Sequence, residues 1–114
     1  MRTNFQFTDE NITFVKGDTL AFNVEVKDQN DDVILVDSAF FTCKKNVNGE
    51  EKTFQKSLGF GITQADGLLT VRVAPEDTRE IDAGQYFYDM VIGVGSDIYT
   101  LLKGTLSIEQ AVTY

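Results

Sequence analysis

The chain has 114 residues, the size of one domain, and 42% are hydrophobic, enough for one packed core and too many for a disordered tail. A formal charge of −8 argues against nucleic acid and anionic membrane surfaces as partners, because both recruit clustered Lys or Arg. With no histidine and a single cysteine, Cys43, the composition excludes an internal disulfide, Ser-His-Asp or Cys-His catalysis and a Cys/His zinc site.

The chain begins MRTNFQF with no apolar run behind it, so no signal peptide of the usual type is expected. Its apolar stretches are too short to span a bilayer. Residues 5–8 and 11–15 read as short strands. Phe5 and Phe7 alternate ahead of the first turn, which makes them a candidate assembly segment. Such a segment either completes its own sheet or adds a strand to a neighbour's. Lys16-Gly17-Asp18 reads as a turn.

Residues 19–27 alternate with period two, placing Leu20, Phe22, Val24 and Val26 on one face of a half-buried strand. The polar cluster KDQNDD at 27–32 ends it. Asp28, Asn30 and Asp32 match the first half of a calcium loop, but Val33 stands where glycine is required and Ala39 where a bidentate Glu is required. A solvated loop is the expectation. Residues 33–36 read as a short edge or crossover strand. Residues 39–46 read as a strand with Phe41 and Cys43 on one face and Phe40 and Thr42 on the other. Cys43 is expected to be a small core residue.

Asn48-Gly49 is the strongest hairpin signal, since both residues tolerate positive φ. The returning strand is placed at 51–57. Gly59 and Gly61 flank Phe60 and mark a bulge or tight bend; Phe60 is expected to pack in the core or at the bend, with exposure as the alternative that sets it apart from the other aromatics. Asp66-Gly67 is a second hairpin turn, followed by alternating Leu69, Val71 and Val73. Pro75-Glu76-Asp77-Thr78 signals a helical turn. No carboxylate pair, neither Glu50 with Glu51 nor Glu76 with Asp77, has spacing that singles it out for acid–base work. No enzymatic activity, metal or cofactor is expected.

The stretch DAGQYFYD at 82–89 carries the strongest fold signal. An acidic turn residue, Asp82, precedes Gly84, then Tyr86 and Tyr88 at intervals of two. In immunoglobulin-like sandwiches such a tyrosine closes a corner with its hydroxyl, and the residue two later points into the core. Tyr86 is therefore the expected corner tyrosine and Tyr88 a core residue. A strand follows over 84–93 and a turn over 95–97. The last strand spans 98–108, with Gly104 read as a bulge. Seven to nine strands, with turns about every ten residues, describe an all-β, immunoglobulin-like β-sandwich of antiparallel strands in one domain over 1–114.

FVKGDTLAFNVEVKD, VDSAFFTCKKN, GLLTVRVAPEDTREIDAGQYFYDMVI and YTLLKGTLSIEQAVT occur in this order. Together they resemble the immunoglobulin-like domains of tailed-phage virion proteins, notably the N-terminal domain family of the baseplate upper protein. The matching residues are Gly17, Asp18 and Thr19, Lys44, residues 75–78, Ala83, Gly84, Tyr86, Tyr88, Asp89 and Gly104. Baseplate upper proteins continue into a receptor-binding region and this chain stops at Tyr114, so a stand-alone copy of the domain is expected. The resemblance implies a non-enzymatic structural protein of a bacteriophage virion, in a baseplate, tail, neck or capsid surface. It would be made in the bacterial host cytoplasm and act as a homo-oligomer or with other virion proteins. The alternative is a soluble adhesion or glycan-binding module.

Overall fold

The computed structural model of the chain describes residues 8–9, 11–27, 30–49, 51–65 and 67–112. Among them are β1 (Thr8–Asp9), β2 (Ile12–Val15), β3 (Leu20–Glu25), β4 (Ser38–Lys44), β5 (Phe54–Leu58), β6 (Gly61–Ala65), β7 (Leu68–Val73), α1 (Pro75–Thr78), β8 (Gly84–Val94) and β9 (Asp97–Glu109). Hydrogen bonding runs through the order β1-β9-β8-β4-β5-β6-β7-β3, with β2 also paired to β9. The molecule is all-β, and its strands form one hydrogen-bonded mixed sheet that curls toward a barrel.

Pairing throughout was expected to be antiparallel, and here the structure differs. β1 and β2 both run parallel to β9, and β5 runs parallel to β6. Only hairpin-linked neighbours are forced to be antiparallel. β2 and β9 are separated by most of the chain, so no turn dictates their relative direction. Between β5 and β6 the chain steps sideways without reversing. Gly59 at φ +91° and Gly61 at φ +99° provide the step, which hydrogen bonds between Ser57 and Phe60 close from both sides. Phe60 stands at its tip, 78% exposed, and not in the core.

The alternating positions of β4, β7, β8 and β9, with Ile62 of β6, supply the core, and Leu20, Phe22 and Val24 of β3 pack half-buried against it. Phe41, Ile62, Leu69, Val71, Met90, Ile92 and Leu106 are fully or almost fully buried. Phe41 is the hub, with ring centroids 5.6 Å from Phe22, 5.4 Å from Tyr88 and 6.2 Å from Phe54. Truncating such a ring to alanine costs about 3–5 kcal/mol. Phe22 lies on β3 and Phe41 on β4, which are not hydrogen-bonded neighbours. This contact is therefore made across the interior.

Several local expectations shift. Residues 33–36 form no named strand. Only a single bridge joins Lys27 to Val33, while Ile34 and Val36 turn inward. The Asn48-Gly49 pair does not make a two-residue hairpin. The turn is Asn46 to Gly49, closed by Gly49 N–H on the Asn46 carbonyl at 3.0 Å, and neither Asn48 nor Gly49 has positive φ. Gly at the fourth position and Asn at the first suit an ordinary type I-like turn equally well. β5 consequently starts at Phe54. The register slip in β9 is not at Gly104, which pairs regularly with Tyr88. Met90 faces Leu102 while Val91 faces Thr100, so Leu101 is the extra residue. The slip lets Tyr99 and Leu106, of opposite parity, both face the core side. Residues 5–7, with Phe5 and Phe7, lie outside the described residues.

Candidate functional site

The corner forms where α1 ends and β8 begins. Ile81 N–H bonds the Thr78 carbonyl at 3.0 Å, and the chain then turns through Asp82 into Gly84, at φ +152°. Tyr86, buried on β8, donates its hydroxyl proton to the Asp82 carbonyl oxygen at 2.6 Å. Burial, then the Asp82 charge, raise its pKa above 10.0, so the hydroxyl remains a donor at neutral pH. Lys45 Nζ sits 5.3 Å from the Tyr86 ring centroid. Tyr88, two residues on, packs in the core against Phe41.

Polar side chains tie α1 to the rest of the molecule. One Asp77 carboxylate oxygen accepts from Ala74 N–H and from Lys56 Nζ, each at 2.7 Å. The Lys56 stem lies where a side chain on Gly61 would go, with a Cβ there meeting Lys56 Cδ at 2.5 Å. The fully buried Thr78 hydroxyl accepts from Gly17 N–H at 2.9 Å, which fixes the β2–β3 turn against α1. These residues hold the architecture together. Cys43 is buried, and desolvation pushes its thiol up to about 12, which leaves it unreactive.

A different place collects chemistry. On the outer face of β4, β8 and β9 lies an open hollow of about 460 Å³, lined by Asn11, Thr42, Lys44, Phe87, Asp89 and Lys103, among others. Register builds it. Asp89 sits between Thr42 and Lys103, and Phe87 sits between Lys44 and Thr105. Neighbours fix the rim: Thr105 donates its hydroxyl proton to Asn11 Oδ1 at 2.7 Å, Gln55 Nε2 donates to Thr42 Oγ1 at 2.8 Å, and Lys44 Nζ donates to the Gly49 carbonyl at 3.0 Å. Phe87 is 37% exposed.

Asp89 is the unusual group. It is half-buried in the middle of a central strand, and among the described residues its carboxylate accepts no hydrogen bond. Burial raises its pKa, and the charges of Lys44 and Lys103 only partly oppose this. A desolvated carboxylate without a donor costs stability, and groups kept at such a cost concentrate at functional sites. In the sequence Asp89 stands as the last residue of the DAGQYFYD motif. A charge between Tyr88 and Met90, inside an otherwise apolar and aromatic strand, was the signal that could have flagged it.

Gly84, Asp82 and Tyr86 thus meet at the corner, away from the hollow, while Tyr88 packs in the core and also contributes to the floor of the hollow. Among the described residues no group of three or more Cys, Asp or Glu is placed to hold a metal ion. No protein-family model matches the chain, and no curated protein matches it.

Proposed function

We propose that the chain is a non-enzymatic structural protein of a bacteriophage virion, built as an immunoglobulin-like sandwich and acting through protein–protein assembly. The finer fold reading draws support from the strand order. β9, β8, β4 and β5 make one run and β6, β7 and β3 another, and the sheet passes from one to the other through the short parallel β5–β6 pairing at the Gly59-Phe60-Gly61 step. The Phe22–Phe41 contact packs one run on the other, and the Tyr86 hydroxyl closes the corner.

One observation carries the assembly reading. Among the described residues the sheet ends at β3 on one side and at β1 and β2 on the other, leaving two open edges. Between them runs an apolar groove lined by Ile12, Leu20, Phe22, Val24 and Leu102. Open edges beside apolar surface can accept a further strand. The segment bearing Phe5 and Phe7 precedes β1 directly and is the strand we assign to this role, supplied to a neighbouring copy.

Sedimentation of the purified protein and co-sedimentation with phage particles test the reading. Full-length protein is expected to self-associate or to travel with particles. Deleting residues 1–8 is expected to reduce that association more than it lowers the melting temperature. A deletion that unfolds the monomer assigns the segment to its own sheet. A protein that is strictly monomeric at high concentration and never found with particles overturns the virion reading.

A further inference from the structure

We propose that the hollow around Asp89 is a binding site for a neutral saccharide. The inference is independent of the virion reading, because it rests on a different face of the molecule.

The charge arrangement selects the ligand class. Asp89 lies between the influence of Lys44 and Lys103, so positive and negative groups share one hollow. A cationic ligand drawn to Asp89 meets two lysines. An anionic ligand drawn to the lysines meets a carboxylate of low solvation. A hydroxyl has neither problem, because it donates and accepts at once. Adjacent sugar hydroxyls can donate to the Asp89 carboxylate, which accepts no hydrogen bond from the described residues, and accept from an ammonium group.

The remaining lining fits the same ligand. Thr42, Thr105 and Asn11 add short polar groups at the rim; Thr105 donates to Asn11 and Gln55 donates to Thr42, which holds them in place without a ligand. Phe87 offers an exposed ring on the same wall, against which the C–H face of a sugar can lie. The hollow is open to solvent along a sheet face, and at about 460 Å³ it holds one or two sugar units. Binding is consequently shallow, with a dissociation constant on the order of a millimolar.

The test is an amide-resolved NMR titration of the whole chain with maltotriose, N,N′-diacetylchitobiose, lactose and mannobiose. A sulfated disaccharide and spermidine serve as charged controls. At least one neutral sugar is expected to move the amides of Thr42, Phe87, Asp89, Lys103 and Thr105 in a saturable way. Asp89→Ala is expected to weaken that sugar at least about tenfold, and Phe87→Ala by a similar factor, while Phe60→Ala leaves it unchanged. Both hollow variants should keep the parent's dispersed spectrum, since neither side chain belongs to the core. Three results overturn the proposal: no shifts with any neutral sugar up to about 50 mM, shifts at the hollow only with a charged control, or a second copy of the chain covering these amides as concentration rises.

Discussion

Replacing Tyr86 with phenylalanine isolates one hydrogen bond at the corner. The ring stays, so no cavity opens and the core beneath is unchanged. What disappears is the donor to the Asp82 carbonyl, a short bond of 2.6 Å made by a side chain only 3% exposed. Asp82 itself is exposed, so water can reach the freed carbonyl. The loss should therefore be the net value of one hydrogen bond, about 1 kcal/mol, and not the larger cost of a buried orphan. For 114 residues the entropy of unfolding is about 0.24 kcal/mol/K, so the melting temperature should fall by about 4 °C. Differential scanning calorimetry at pH 7 measures it. Asp82→Ala is the companion, expected to change stability by less than about 0.5 kcal/mol because the acceptor is main chain. The pH dependence adds a second reading. The folded-state pKa of Tyr86 is raised, so its contribution is complete below pH 10.0 and is lost as pH rises through the folded value. The gap between parent and Tyr86→Phe should accordingly narrow above pH 10.0. An unchanged melting temperature at pH 7, or a gap that widens in alkali, refutes the role assigned to the hydroxyl.

Three further outcomes are expected. Asp89→Asn should melt higher than the parent at pH 7. The raised carboxyl favours the folded state only while protonated, so the advantage should vanish below pH 3.8; an Asn variant that is less stable at pH 7 would mean the carboxylate is paired after all. Lys56→Met keeps the stem over Gly61 and removes the ion pair to Asp77, which should cost about 1–2 kcal/mol in urea unfolding, and no loss would show that pair to be worth only what an exposed one is. Cys43, its thiol held at about 12, should react with an aromatic disulfide reagent at pH 8 only as fast as the chain unfolds, and rapid labelling of native protein would contradict its burial.

Alternation and turn chemistry made much of the architecture legible from residues alone. Leu69, Val71 and Val73, and Tyr86, Tyr88, Met90 and Ile92, were readable as one buried face each, because a period of two leaves a strand no other way to bury them. The tight reversal that sets Ala65 opposite Leu68, with Gly67 at φ +81°, and the proline-led turn at 75–78 were readable for the same local reason. Direction and closure were not. Nothing in Ile12–Val15 announces that it will lie parallel to β9, because that pairing is chosen by packing between segments some ninety residues apart. Parity within β9 was decided by the unpaired Leu101, a slip that only the opposing strand defines. The hollow is the clearest case. Lys44, Asp89 and Lys103 are scattered through the sequence; the two lysines each read as ordinary surface charges, and Asp89 is marked only by its place between Tyr88 and Met90. Register places them side by side, and burial among neighbours, which a linear chain does not possess, gives Asp89 its perturbed chemistry.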